Sequence, residues 1–273
     1  MSEIVEAIRL GLASRPLREP ILLSAVQALR PRPGSRGLDA GCGIGLSTLP
    51  LAHAVGPAGH VTGLDLSSEF LAHAKALAAR AGMSERIAFH QGDVNRIPSE
   101  SDAFDWTWSV DCVGYAPMEP LPLVVEMTRV VRPGGTVAVL AWSSESLLPG
   151  YPRLEARLRA TPAGLAPFAV GKPPRLHFLR ALGWFHEAGL EDCQALTLAD
   201  TAHAPLSEEM RTALVALFEM RWPGVEEKLV PEEQALYRRV CLPDSPQFIV
   251  DRPDYCAFFT YTMFCGTVPE IQA

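Results

Sequence analysis

Apolar and polar positions alternate along this chain in two rhythms. Residues 3–12 and 19–30 carry apolar side chains at helical spacing, split by Ser14-Arg15-Pro16, and Pro31-Arg32-Pro33-Gly34 ends the second stretch. Short β-rich runs then begin, at Arg36–Ala40, His60–Leu64, Ile87–Gln91, Ala103–Val110 and Thr136–Trp142. Between them lie helix-like runs at Leu46–Ala54, Ser68–Ala81 and Leu121–Val130. Strands alternating with helices of this length predict a mostly parallel α/β sheet covered by helices. Pro133-Gly134-Gly135 reads as a turn before the fifth strand.

After Trp142 the alternation stops. Residues 143–175 hold six prolines (Pro149, Pro152, Pro162, Pro167, Pro173 and Pro174), too many for a long regular element. A helix over Arg175–Ala188 and a strand over Asp192–Leu198 restore the rhythm. Residues 205–240 read as two helices interrupted at Trp222-Pro223-Gly224, and Tyr255–Phe264 as a last strand. The predicted organisation is N-terminal helices over 1–34, a Rossmann-like core over 35–142, an insertion over 143–175, and a core helix and strand over 176–199. A helical lid insertion over 200–252 and a final strand with its tail over 253–273 complete it.

The chemistry concentrates in Gly37-Leu38-Asp39-Ala40-Gly41-Cys42-Gly43-Ile44-Gly45. Glycine permits positive φ and close backbone approach to a ligand, and here it recurs at alternate positions after a strand. Twenty residues beyond Gly45 the second strand ends in Asp65. A glycine loop after one strand and a carboxylate at the tip of the next is how an α/β sheet holds a nucleoside, the acid accepting the ribose hydroxyls. The spacing D-x-G-x-G-x-G differs from the dinucleotide G-x-G-x-x-G and sets an acid where a phosphate would be repelled, which argues against a nicotinamide cofactor.

Together with Gly92-Asp93-Val94 and Arg132-Pro133-Gly134-Gly135, these motifs resemble the class I S-adenosylmethionine-dependent methyltransferases, in particular the small-molecule branch that includes quinone-biosynthesis enzymes. The match runs in order over residues 35–142. The resemblance implies a doubly wound, mostly parallel seven-stranded sheet whose last strand is antiparallel and inserted beside its neighbour. It implies S-adenosylmethionine held by Asp39, Gly41, Gly43, Gly45, Asp65, Leu66, Asp93, Val94 and Ser109. Leu66 would pack on the adenine, Asp93 would accept its amino group, the Val94 amide would meet a ring nitrogen, and Asp39 would organise backbone amides beside the methionine end. Ser109 would offer its backbone to the methionine amino group. Asp111, Cys112 and Tyr115 would border the transfer site.

Transfer from a sulfonium asks the protein mainly for binding and alignment, so no catalytic dyad is required and none is visible. Tyr115, His177 and His203 are the candidates for orienting the acceptor or taking a proton. Phe168, Phe178, Phe218 and Trp222 are the aromatic side chains expected nearest an apolar, ring-bearing acceptor. A binding protein with non-methyl chemistry and a nicotinamide oxidoreductase remain the competing functions.

Composition narrows the partners. A net charge of −7 argues against nucleic acid. The Glu3, Glu6 and Arg9 of the first helix do not read as a secretory signal, and no apolar run is long enough for a membrane span. Six scattered cysteines without a C-x-x-C pair suggest reduced thiols in the cytoplasm and no metal site. The expected partner is a small-molecule methyl acceptor; a homodimer is left open.

Overall fold

The computed structural model describes residues 3–113, 119–160 and 173–270. Seven strands, β1 (Arg36–Ala40), β2 (His60–Asp65), β3 (Ile87–Gln91), β4 (Phe104–Val110), β5 (Val131–Ser146), β6 (Glu191–His203) and β7 (Cys256–Thr267), form one sheet in the order β3-β2-β1-β4-β5-β7-β6. β1 is parallel to β2 and β4, β2 to β3, and β4 to β5. The register sets Asp39 opposite Gly63 on one side and Trp108 on the other, so the carboxyl ends of β1, β2 and β4 meet. β7 runs antiparallel to β5. The Gly134 amide donates to Val268 O at 2.9 Å near one end, and the Thr262 hydroxyl meets that of Ser143 at 2.9 Å near the other.

The helices are α1 (Glu3–Ala13), α2 (Arg15–Leu29), α3 (Thr48–Ala54), α4 (Ser68–Arg80), α5 (Pro120–Arg129), α6 (Pro152–Arg159), α7 (Ala181–Glu187), α8 (Glu208–Arg221) and α9 (Pro231–Cys241). α4 shows why they form. The Ser67 hydroxyl caps it by accepting the Phe70 amide, and Leu71, Ala74 and Ala78 bury one face at helical spacing.

Three expectations change. The Pro133-Gly134-Gly135 turn lies inside β5 as a bulge: Phe104 pairs with Val131 and Trp106 already with Thr136, leaving extra residues on β5. Pro133 lacks an amide to give the ladder, and Gly134 takes φ 72°. The single helix over 175–188 becomes two 3-10 turns, Pro174–Leu176 and Phe178–Arg180, followed by α7, because His177 is extended at φ −68°, ψ 132°. α2 starts four residues earlier than expected, at Arg15, since Pro16 falls in the first turn, where a missing amide costs little.

The described residues separate into two compact units. One gathers those of Leu22–Ser143, Lys172–Leu198 and Tyr261–Ala273. Its core joins Leu38, Leu64, Val124, Met127, Val139, Trp184 and Phe264. The other gathers those of Met1–Ile21, Ser144–Gly171 and Ala199–Thr260. Its core includes Phe218, which packs against Trp222 at 4.8 Å and Phe248 at 5.9 Å between ring centroids. Around it Arg221 pairs with the buried Glu145 at 3.0 Å. The buried Glu155 accepts the Leu147 amide at 2.6 Å and pairs with Arg159 at 3.1 Å. Among the described residues no helix is long and apolar enough to cross a membrane.

Candidate functional site

The carboxyl end of β1 runs directly into the glycine loop. Gly41, Gly43 and Gly45 take φ values of 76°, 53° and 83°, so each glycine of the alternating set occupies the left-handed region. The loop is fastened to β2, with Leu64 O accepting the Gly41 amide at 2.8 Å and the Cys42 amide at 3.0 Å. A Cβ on Gly41 would stand 2.5 Å from Cys112 Sγ, whereas one on Gly43 would meet nothing within 4 Å. Gly41 is therefore needed for packing, and Gly43 borders open space.

Asp65, at the tip of β2, holds that loop. One carboxylate oxygen accepts the Gly43 amide at 2.8 Å and the other the Ser67 amide at 2.9 Å. A carboxylate can accept about four hydrogen bonds, so two such contacts leave room for ribose hydroxyls. Leu66, next to it, is 62% exposed, an apolar face with no core to fill. Its carbonyl accepts from the Gln91 side chain at 2.9 Å, a fastening that sequence alone did not reveal. Asp93 is exposed beyond β3 and accepts both the backbone and side-chain amides of Asn95, at 2.9 and 2.7 Å; Val94 is buried behind it.

Asp39 is fully buried, and its partners differ from those expected. One oxygen accepts the hydroxyls of Ser47 and Thr48, at 2.8 and 2.7 Å, rather than backbone amides. The hydroxyls prevail because α3 begins at Thr48, so its first turn faces β1; Ser47 donates to Asp39 and makes no helix cap. The other oxygen is buried with no partner among the described residues. Burial pushes the Asp39 carboxyl up to about 6, with Asp65 adding to the rise and the Thr48 and Ser47 hydroxyls opposing it. A buried carboxylate oxygen without a donor fits a cationic or ammonium-bearing ligand. Ser109 is buried at the end of β4, its hydroxyl donating to Ala40 O at 2.7 Å and tying β4 to β1.

The remaining candidates separate. Tyr115 and Phe168 lie outside the described residues. His177 is exposed and accepts the Leu179 amide on Nδ1 at 3.2 Å, which makes it the cap of a 3-10 turn. His203 is exposed with Nδ1 3.0 Å from Ala204 O. Phe178, Phe218 and Trp222 are all buried, Phe178 within the core of the first unit and Phe218 against Trp222 in the other. An aromatic in an amphipathic segment fills a core as readily as a pocket. Burial raises the thiols of Cys42 and Cys112, the latter to about 12, so both stay protonated at neutral pH. Among the described residues no cluster of His, Cys, Asp and Glu could hold a metal.

Residues 38–135 match the family described as "Methyltransferase domain". The demethylmenaquinone methyltransferase of Bacillus cytotoxicus is 37% identical over 121 residues, 43% of this chain and 48% of that protein. The sterol 24-C-methyltransferase ERG6B of Gibberella zeae is 32% identical over 111 residues, 41% and 28% of the two chains. The chain thus spans half or less of the length of the curated relatives it matches. The fold is shared with phosphoethanolamine N-methyltransferase 2 of Haemonchus contortus, solved with S-adenosylmethionine, at a TM-score of 0.54 and 17% identity over 92% of this chain and 53% of that one. Residues 38–135 are therefore a methyltransferase domain, set on the strand order and the acid-flanked glycine loop described above.

Proposed function

We propose that the protein transfers the methyl group of S-adenosylmethionine to a small, apolar, ring-bearing acceptor. The observation that carries this reading is the set of carboxylates at successive strand tips, Asp39, Asp65 and Asp93, around a loop whose Gly43 faces open space. In this reading Asp65 accepts the ribose hydroxyls, Leu66 covers the adenine and Asp93 accepts its amino group, with the Val94 amide beside it. The unpartnered oxygen of Asp39 faces the cationic methionine end, and the backbone at Ser109 completes that end. Bound there, the sulfonium supplies a methyl group already activated for displacement. The chain's own part is to orient it and to exclude water, for which proximity and orientation supply up to about 7–11 kcal/mol of the barrier.

The named substrates of the relatives, a demethylmenaquinone and a sterol, support an apolar acceptor. We assign acceptor choice to segments 143–175 and 200–252, and residence to the cytoplasm, where the six free cysteines stay reduced. The test is a calorimetric titration with S-adenosylmethionine. It is followed by incubation of methyl-labelled S-adenosylmethionine with 1,4-naphthalenediol under anaerobic conditions. Saturable binding and equal amounts of S-adenosylhomocysteine and methylated product are expected. A folded protein that does not bind S-adenosylmethionine defeats the reading.

A further inference from the structure

The first residue beyond β4 is Asp111, and it stands in the left-handed region at φ 50°. Few side chains tolerate that region, aspartate and asparagine among them. Three interactions hold it there. Its amide donates to Leu140 O at 2.9 Å. One carboxylate oxygen accepts the Trp142 amide of β5 at 3.0 Å, and the other accepts the hydroxyl of Tyr261, from β7, at 2.9 Å. The Trp142 ring in turn meets the Tyr261 ring edge-on, centroids 5.4 Å apart. Tyr261 is completely buried, while Asp111 is half-buried. The next residue, Cys112, lies against the glycine loop, close enough that a Cβ on Gly41 would collide with its sulfur. The residue next to this carboxylate, which β5 and β7 hold, thus packs against the loop of the candidate site.

The Trp142 amide and the Tyr261 hydroxyl both donate to this side chain, one to each carboxylate oxygen. That is sufficient for a structural tie between β4, β5 and β7. It also sets an oriented carboxylate at the carboxyl edge of the sheet, where an α/β fold binds its ligands. We propose that Asp111 is the general base of the methyl transfer and Tyr261 its positioning residue, which makes the acceptor an aromatic or enolic hydroxyl compound. The assignment rests on the methyltransferase reading above. In the step, the acceptor's O–H bond breaks and its proton passes to the Asp111 carboxylate. The electron pair left on oxygen, delocalised into the ring, forms the new bond to the methyl carbon from oxygen or from the adjacent ring carbon. The carbon–sulfur bond breaks and its pair stays on sulfur, giving S-adenosylhomocysteine. Asp111 then returns the proton to water; after transfer to ring carbon the displaced ring proton leaves and the ring oxygen takes one up, so a single proton is released in either case.

The experiment compares wild type, Asp111→Asn and Tyr261→Phe with two probes. One is 1,4-naphthalenediol, which must lose a proton. The other is 2-hydroxy-1,4-naphthoquinone, a vinylogous acid already ionised at neutral pH and nucleophilic at its ring carbon. Asparagine tolerates the left-handed backbone and phenylalanine keeps the ring, so both variants should fold, with S-adenosylmethionine affinity within about twofold of wild type. Asp111→Asn should lower diol turnover at least 100-fold, in line with general-base contributions of about 10²–10⁴-fold, and change naphthoquinone turnover less than threefold. Tyr261→Phe should lower kcat for the diol about tenfold, with little change in KM. Calorimetry on the S-adenosylhomocysteine-loaded proteins gives a reading free of turnover: Asp111→Asn should bind the diol more weakly and the naphthoquinone anion as well or better. Equal losses on both probes, or undiminished diol turnover in Asp111→Asn, would overturn the assignment. So would a wild-type protein that binds S-adenosylmethionine yet methylates neither probe, and that result leaves the cofactor reading standing.

Discussion

Replacing Gly43 with alanine separates a ligand contact from a packing contact more cleanly than any other single change in the loop. Gly43 stands at φ 53°, where an L side chain costs about 1–2 kcal/mol. The added Cβ meets nothing within 4 Å, so no steric cost follows. The unliganded protein should lose no more than that strain, a modest fall in the urea midpoint with an unchanged slope. The methyl group nevertheless projects into the space assigned to the cofactor, and the Gly43 amide is the one that Asp65 holds. Affinity for S-adenosylmethionine should fall at least tenfold, about 1.4 kcal/mol or more. Gly41→Ala is the control. Its Cβ would stand 2.5 Å from Cys112 Sγ and 2.7 Å from Cys112 Cβ at φ 76°. Overpacking of roughly 1–3 kcal/mol then adds to the backbone strain, and the fold is damaged first. Urea unfolding and calorimetry on the two variants decide the matter. If Gly43→Ala binds S-adenosylmethionine like the wild type, the open space over that residue is not where the cofactor lies.

Three further outcomes are expected. Asp65→Asn keeps the shape but turns an NH2 toward one of two backbone donors, losing a charge-assisted bond of about 1.5–3 kcal/mol in full burial and less at this half-buried site; an unchanged urea midpoint and an unchanged S-adenosylmethionine affinity together would refute its role in fastening the loop. Asp39 titrates near 6 in the fold against an ordinary 3.8, so the native state keeps a proton that the unfolded chain gives up. Its contribution to stability therefore falls as pH rises from about 4 to 6, by about 3 kcal/mol at most. Asp39→Asn should gain on wild type across that window in urea unfolding, and parallel profiles would exclude the effect. Phe218→Ala should lower stability by about 3–5 kcal/mol through loss of its Trp222 and Phe248 contacts, seen in thermal or urea unfolding, rather than alter acceptor KM in the folded fraction.

Much of the fold was legible because its signals are local. β1 and β3 fall where apolar runs end at glycine or polar residues, and the loop glycines take the backbone that their alternation demands. The position of Asp65 could be read because a strand tip and a helix start bracket it within a few residues. What stayed hidden depends on distant pairing. Tyr261 reaches Asp111 across 150 positions, and no spacing in the sequence announces it. Ser47 and Thr48 looked like an ordinary helix start until Asp39 was seen to draw their hydroxyls inward. The Pro133-Gly134-Gly135 bulge has the composition of a turn, and only its neighbours Phe104 and Trp106 reveal a strand running through it. The burial of Phe178, Phe218 and Trp222 could not be read from composition, since a core and a pocket use the same side chains.

The insertion of β7 between β5 and β6 bears on the order in which the sheet can be completed during synthesis. β6 leaves the ribosome before β7 yet has no direct neighbour in β5, so it waits for a strand that emerges more than fifty residues later. Until then β5 is an open edge on one side, with its amides and carbonyls unpaired and able to attract other chains. The β3-β2-β1-β4-β5 portion needs no later residue for its own ladder and can assemble first. The hydroxyls of Ser143, Thr262 and Thr197, linked across β5, β7 and β6 at 2.9 and 3.1 Å, then close last. A chain built in this order is most exposed to misassociation in the interval between its sixth and seventh strands, and the speed of elongation through residues 204–255 sets how long that interval lasts.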